Sequence, residues 1–224
     1  MNIIAVIPCY NEEHFIGGVV SGALKYVNKV IVVDDGSQDN TSIVARESGA
    51  KVVRHETKQG AGAATRSGFT LAKKENADII ITLDGDGQHN PDEISVLLRP
   101  IETNIADLVI GSRFFNYEQV VRRYRKIGID IITVLYNIFS KVKVSDSQSG
   151  FRAFNKKAID TIRITDNGFG FSIEMLVRAR KAGLRISAVP ISCIYHHQGS
   201  TLNPLFHGLS VVWSLIKFRL ILLS

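Results

Sequence analysis

The sequence predicts an α/β fold: a mostly parallel sheet flanked by helices on both faces. Three observations predict it. First, apolar, β-branched runs alternate with stretches of helical periodicity through roughly the first half of the 224 residues. That alternation is the pattern of βαβ units, whose crossover helices cover both faces of a parallel sheet. Second, Lys29–Asp34 and Asp78–Leu83 are nearly continuous in apolar residues, as strands buried on both sides are. Third, acidic residues stand where these runs stop: Asp34 and Asp35 after one, Asp84 and Asp86 after the other. Open α/β sheets bind ligands outside the carboxyl ends of their strands.

Each element has its own signal. Asn2–Pro8 reads as a strand and Glu12–Val27 as a helix. Lys29–Asp34 is the second strand. Asn40–Ser48 is a short helix that Gly49 ends, and Lys51–Arg54 is a short strand. Ala61–Lys74 is a helix rich in small residues, followed by the strand Asp78–Leu83. Pro91 opens the next helix, with Asp92 and Glu93 set against its positive end. Ala106–Ile110 is the fifth strand. Ser149–Asn155 reads as a strand or extended turn, Phe171–Ala182 as a helix and Arg185–Ile194 as a strand.

Between these lies a different kind of segment. Arg113 to Lys126 holds the basic residues Arg113, Arg122, Arg123, Arg125 and Lys126 against one acid, Glu118. A long helical stretch follows, with Asp130, Thr133, Asn137 and Ser140 on a narrow polar stripe and isoleucine, valine, leucine and phenylalanine around the rest. A helix this apolar is either enclosed in a core or laid against a membrane. The tail, residues 204–224, is an amphipathic helix that either lies in a membrane interface or packs on protein, its own domain or a sister subunit. Residues 1–203 would form the catalytic domain.

Composition narrows the classes. Apolar residues make up 45% and charged residues 21%, which allows an ordinary core. The net charge is +6 and the pI near 9.4, a balance that suits an anionic partner: phosphorylated substrate, anionic lipid or nucleic acid. Cys9 and Cys193 are too few for a disulfide framework and point to a reducing compartment. The chain runs straight into strand-like Ile3 to Ile7, so no secretory leader is expected. No segment has the ~18 uncharged apolar residues of a membrane span.

The most informative motif is Asp84-Gly85-Asp86-Gly87-Gln88. Two carboxylates one residue apart can hold Mg2+ or Mn2+, which take few protein ligands and complete their shell with substrate phosphate and water. Gln88 adds a neutral oxygen, and the glycines let phosphate approach the backbone. A calcium loop of the EF-hand type is excluded, since Ser95 stands where its closing glutamate belongs. Asp35 can accept from a base or ribose, while Ser37 or Asp39 caps the next helix. Tyr10 offers a stacking face, and Glu12 either accepts from the base or caps its helix. Gln59-Gly60-Ala61-Gly62-Ala63-Ala64-Thr65-Arg66 lacks the last glycine of a dinucleotide fingerprint and follows the wrong strand. It reads as close packing beside a nucleotide, with Arg66 near phosphate. Asp146-Ser147-Gln148-Ser149-Gly150-Phe151-Arg152 brings hydroxyls, a glycine and an arginine fit for phosphate together, with a plain turn bearing an exposed arginine as the alternative. His196 and His197 are adjacent and point apart, so they do not share a metal. Glu174 reads as a surface residue of its helix, with an orienting role as the alternative.

Five segments in this order resemble the polyprenyl-phosphate glycosyltransferases of the inverting GT-A class, the branch of dolichyl-phosphate mannose synthase. They are Val6-Ile7-Pro8-Cys9-Tyr10-Asn11-Glu12-Glu13, Val32-Val33-Asp34-Asp35-Gly36-Ser37, Leu83-Asp84-Gly85-Asp86-Gly87-Gln88, Gly111-Ser112-Arg113 and Ser149-Gly150-Phe151-Arg152. The resemblance implies a GT-A, Rossmann-like fold with amphipathic, membrane-facing helices. It implies that Pro8, Tyr10, Glu12, Val33 and Asp35 cradle the nucleoside, with Gly60, Arg66, Asp84 and Gly85 also on the nucleotide sugar. Asp84, Asp86 and Gln88 would hold the metal and diphosphate. Arg113 would bridge the donor and acceptor phosphates, with Arg122, Arg123, Ser149 and Arg152 on the acceptor phosphate. Asp86 and Arg113 would be the catalytic pair. The implied donor is GDP-mannose or UDP-glucose and the acceptor a polyprenyl (dolichyl) phosphate, at the cytoplasmic face of a membrane, with no role for nucleic acid. The sequence departs from the family where an arginine three residues before the glycine of a Gly-x-Ser segment is replaced by His196, and a following lysine by Leu202. Two other readings remain open: transfer to a hydroxyl acceptor, and a nucleotide- or nucleic-acid-binding regulator without catalysis.

Overall fold

The computed structural model of the chain describes residues 1–114, 133–134, 137 and 144–194. The β-branched runs form seven strands: β1 (Ile3–Cys9), β2 (Lys29–Asp34), β3 (Lys51–Arg54), β4 (Ile79–Thr82), β5 (Leu108–Ser112), β6 (Arg152–Asn155) and β7 (Ile186–Pro190). They lie side by side in the order β3-β2-β1-β4-β6-β5-β7. Every pairing is parallel except those of β6, which runs antiparallel to both β4 and β5. The sheet is therefore mostly parallel, as expected, with one reversed strand that residue pattern alone does not reveal.

Alternate side chains point to opposite faces and build two cores. On one face Ile4, Val6, Ile31, Val33, Ile80 and Phe154 meet α3 (Ala61–Lys74) and α6 (Phe171–Lys181). On the other, Ile3, Ala5, Ile7, Val32, Ile81 and Val109 meet α1 (Ile16–Ala23) and α4 (Ile94–Glu102). The remaining helices are α2 (Thr41–Glu47) and α5 (Lys156–Thr161). Each fully enclosed isoleucine or leucine contributes about 1.5–3 kcal/mol of transfer free energy.

The first helix starts at Ile16, four residues later than its pattern predicts. The reason is local. Asn11 has φ +58°, and the next amides are taken by side chains of the second βα junction: Asn11 N–H donates to Ser37 Oγ (2.9 Å), Glu12 N–H to Thr41 Oγ1 (2.8 Å) and Glu13 N–H to Asp39 Oδ2 (3.2 Å). Residues 11–15 thus tie two junctions together. Helix α5 has no counterpart among the sequence expectations. Its start signal is Asn155, whose side chain accepts from Ala158 N–H at 2.9 Å.

At the opposite rim, Asp107 joins three strands. Its carboxylate accepts from Arg185 N–H (2.8 Å), Arg185 Nη2 (2.8 Å) and Nε (3.1 Å), and Asn155 Nδ2 (2.9 Å). These bonds hold its carboxyl well below the usual range, Arg185 being the main cause.

Arg122, Arg123, His196, most of the long apolar stretch and the 204–224 tail lie outside the described residues. Thr133 and Asn137, both from the polar stripe, bond inward: Thr133 Oγ1 to Ser147 Oγ (2.9 Å), and Asn137 to both the amide and carbonyl of Val144 (2.9 and 2.8 Å). Val134 is exposed. Among the described residues no helix is long and apolar enough to cross a membrane.

Candidate active site

The ends of β1, β2 and β4 bring their acidic turns to one rim. Leu83 N–H still pairs with Val6 O (3.4 Å), and then the chain turns through Asp84–Gln88. Gly85 packs on Cys9, where a Cβ would stand 2.8 Å from the cysteine Cβ. Asp86 Oδ1 accepts from Gln88 N–H at 3.0 Å, closing the turn. Ile194 N–H donates to Gln88 O (2.9 Å), so the chain beyond β7 is fastened to the same turn. Asp84 N–H donates to Nδ1 of buried His89 (3.3 Å), which puts the ring proton of a neutral imidazole on Nε2. Burial pushes His89 down to about 4, so neutral is its state near pH 7.

The side chain of Asp84 is 47% exposed, open to a ligand from solvent. Loss of solvation among the surrounding protein atoms nevertheless pushes its carboxyl upward, opposed by the positive charges of Arg113 and Arg152. Glu12, from the first junction, is raised to about 7 by burial and then by the nearby charges of Asp86, Asp39 and Asp84. Carboxylates of the first, second and fourth junctions therefore act on one another across this rim. Among the described residues no three His, Cys, Asp or Glu side chains close a ready-made metal cage. Two carboxylates on a glycine-lined turn fit a hard cation that takes its remaining ligands from phosphate and water. The donor set is therefore compatible with Mg2+ or Mn2+.

Around the nucleoside cradle that the resemblance implies, the geometry is mixed. Pro8 and Tyr10 are half-buried at the end of β1. Lys58 Nζ lies 3.6 Å from the centroid of the Tyr10 ring. Asp34 is buried and structural, accepting from Ser37 N–H (2.8 Å) and the Ser42 hydroxyl. Asp35 is also buried, bonded to His55 Nδ1 (2.7 Å), Gln59 N–H (2.9 Å) and Gly60 N–H (2.7 Å). His55 passes the contact on to Ser67 Oγ at 3.0 Å. Neither Ser37 nor Asp39 stands at the N-cap of α2, which is Asn40; Asp39 Oδ1, one residue earlier, accepts from Thr41 N–H at 3.0 Å, and its carboxyl is held low because its hydrogen bonds outweigh burial.

Three expectations change here. Val33 is fully enclosed, its side chain against α3 near Gly68, so only its backbone is available to a nucleoside. The amino end of α3 does not open onto phosphate. Gly62 and Ala63 N–H donate to Asn167 O (2.9 and 3.3 Å), and a Cβ on Gly60 would stand 2.2 Å from that oxygen. The glycines of residues 60–62 make room for the chain's own 166–168 loop. Arg66 lies on the flank of α3, in a groove with Val53, Ser67, Thr70, Leu71 and Lys74, instead of beside the acidic turn.

Near the acidic turn, Arg113 is gripped by buried Asp146, through Nε to Oδ2 (2.7 Å) and Nη2 to Oδ1 (3.0 Å). Burial alone would raise the Asp146 carboxyl, but Arg113 outweighs it and holds it low. Ser149 and Arg152 do not line an acceptor site. Ser149 is buried and accepts from Phe151 N–H (3.3 Å). Arg152 is 1% exposed and donates to the carbonyls of Ser147, Ser149 and Ser172, each at 2.9 Å. It braces the 147–149 turn against α6 from beneath. Glu174 is likewise no surface residue. It is fully buried, accepting from Thr165 N–H (2.8 Å), Asp166 N–H (2.9 Å) and Arg178 Nε (2.9 Å), and so holds the loop that fills the α3 amino end. Lys58 and His55 carried no sequence signal of their own, because each acts on a partner in a different segment; Asp146 lay in a segment read for phosphate, but its grip on Arg113 was not legible there.

The comparisons agree with this geometry. The Glycosyl transferase family 2 model matches residues 4–163. The chain is 34% identical to a UDP-N-acetylglucosamine–dolichyl-phosphate N-acetylglucosaminyltransferase of Methanococcus voltae, over 86% of each chain. It is 31% identical to an undecaprenyl-phosphate mannosyltransferase of Micrococcus luteus, over 98% of this chain and 99% of that one. Glucosyl-3-phosphoglycerate synthase of Mycobacterium tuberculosis, solved with Mn2+, UDP and phosphoglyceric acid, superposes with a TM-score of 0.77 at 24% identity, covering 97% of this chain and 78% of that one. That likeness shows the fold, which is GT-A. The protein belongs to glycosyl transferase family 2.

Proposed function

We propose that the protein transfers a hexose, mannose from GDP-mannose or glucose from UDP-glucose, onto a polyprenyl phosphate with inversion at the anomeric carbon. The observation that carries this reading is the meeting of an accessible acidic turn, Asp84–Gln88, with the Arg113–Asp146 pair at one rim. Relatives named for dolichyl- and undecaprenyl-phosphate transfer support the acceptor class. The inward polar bonds of Thr133 and Asn137, with Val134 exposed, support an apolar surface available to lipid.

Asp84 and Asp86, with Gln88, would hold a divalent cation, which when bound offsets charge on the departing diphosphate. The acceptor phosphate oxygen forms the new bond to the anomeric carbon as the carbon–oxygen bond to the diphosphate breaks, and the electron pair leaves with the nucleoside diphosphate. A phosphate monoester carries about −1.5 to −2 charges near neutrality, so it needs no general base. What it needs is relief from repulsion by the donor. Arg113, oriented by Asp146, supplies that positive charge. Tyr10 and Glu12, at the end of β1, would meet the nucleoside, while buried Asp35 would act from behind by holding His55 and the Gln59 and Gly60 amides in place. The enzyme would work peripherally at the cytoplasmic face of a membrane.

The test is transfer of radiolabelled sugar from GDP-mannose, UDP-glucose and UDP-N-acetylglucosamine to polyprenyl phosphate, with Mg2+ or Mn2+. A lipid-linked product that disappears in Asp86→Ala, with the melting temperature kept, supports the reading. No lipid-linked product with any donor removes it.

A further inference from the structure

The ammonium of Lys58 lies over one face of the Tyr10 ring, 3.6 Å from its centroid. It is not held there by its own side chain alone. Gly36, with φ +78°, packs so closely on the neighbouring segment that a Cβ would lie 2.9 Å from Lys58 N and 2.9 Å from Thr57 C. Immediately afterwards, Gln59 and Gly60 N–H are both bound by Asp35. The backbone on either side of Lys58 is thus pinned to the second βα junction, while the exposed side chain above it is free to swing about four single bonds. A cation over an aromatic face is attracted by the ring quadrupole, and weakly where solvent reaches it. A stacked base and the ammonium cannot share that face, so a base that stacks there must lift Lys58 away.

We infer that Lys58 is a base-selecting residue: it covers Tyr10 in the free enzyme and, once a base stacks there, donates to that base's ring carbonyl oxygen. The inference rests on the nucleotide-sugar reading above. The chemistry is specific. An ammonium offers three donors and no acceptor. Uracil and guanine present a carbonyl oxygen at the exocyclic position where adenine presents an amino group, which cannot accept from a donor. Lys58 therefore favours oxo bases over adenine without contacting sugar or phosphate.

The experiment is calorimetric titration of the full chain with UDP, GDP and ADP in Mn2+, for the wild type, Lys58→Met and Lys58→Arg. Lys58→Met keeps the length and removes the charge. The expected result is that it binds the preferred oxo-base nucleotide about tenfold more weakly. ADP affinity changes little, Lys58→Arg keeps most of the preference, and the melting temperature is unchanged in both variants. Lys58→Met that binds UDP and GDP as tightly as the wild type, or that loses ADP to the same degree, overturns base selection. A wild type that binds none of the three nucleotides removes the donor reading itself, and this role with it.

Discussion

Gly150 lies flush against the carboxylate of Asp84: a Cβ at position 150 would stand 2.5 Å from Oδ1 and 2.6 Å from Oδ2. The position is locked from below, because Thr82 Oγ1 donates to Gly150 O at 2.7 Å. One methyl group there has nowhere to go except through the carboxylate. Gly150→Ala should therefore turn Asp84 aside and lower cation affinity about 10- to 100-fold. Manganese binding followed by electron paramagnetic resonance, beside a thermal melt, checks this; wild-type affinity in a folded variant would show that Asp84 is not a ligand.

Asp146 sets the direction of Arg113 through two parallel bonds. Asp146→Asn keeps the shape and removes the charge. Turnover should fall about 10- to 100-fold, because Arg113 would no longer be aimed. Stability should fall by about 2–3 kcal/mol, as for a buried pair that loses one partner. Single-turnover rates and urea unfolding separate the two effects. Wild-type turnover would mean that Arg113 needs no such support.

Glu12 gives a prediction with a sign. Its carboxyl is raised to about 7 in the folded chain by burial and by Asp86, Asp39 and Asp84. The folded state holds that proton more tightly than the unfolded state, so stability falls as pH rises from about 4 towards 7. Glu12→Gln, measured in chelator, should stabilise at pH 8 by about 1 kcal/mol after solvent screening and have little effect at pH 4. Equal unfolding free energies at pH 8 would contradict the crowding.

Asp107 behaves in the opposite sense. Its carboxyl is held low by Arg185 first, so its contribution is present above about pH 4 and is lost as pH falls further, through its folded value. Asp107→Asn should cost about 2 kcal/mol at pH 7, with the gap from wild type narrowing below pH 4. Because Asp107 sits at the rim opposite the acidic turns, transfer by the folded variant should be unchanged. Urea titrations at both pH values, with an activity assay at pH 7, test it.

Much of the fold was legible in the residues. Lys29–Asp34, Lys51–Arg54 and Ala61–Lys74 form elements with the expected bounds, since β-branched runs and a Gly-flanked helix leave few alternatives. The start of α1 was not legible, because Ser37, Thr41 and Asp39 take the amides that would have begun it. The direction of β6 was hidden as well: Arg152–Asn155 reads the same whichever way its neighbours run. In the site, the acidic turn announces itself by composition. Arg152 misleads, because an arginine beside serine and glycine looks like a phosphate ligand until its three carbonyl acceptors are seen. Asp146 and Glu174 act on Arg113 and on the 165–166 turn, relationships that spacing along the chain does not encode.

The reversal of β6 has an architectural consequence. Since β5 leaves the sheet at the acidic rim and β6 enters at that same rim, residues 113–151 depart from and return to one edge. Chain inserted or exchanged in that excursion can grow outward without threading the sheet or disturbing its hydrogen-bond ladder. The half of the sheet built by β1, β2 and β4 is fixed by its crossovers, so change in that excursion leaves the acidic turns at the ends of those strands where they are.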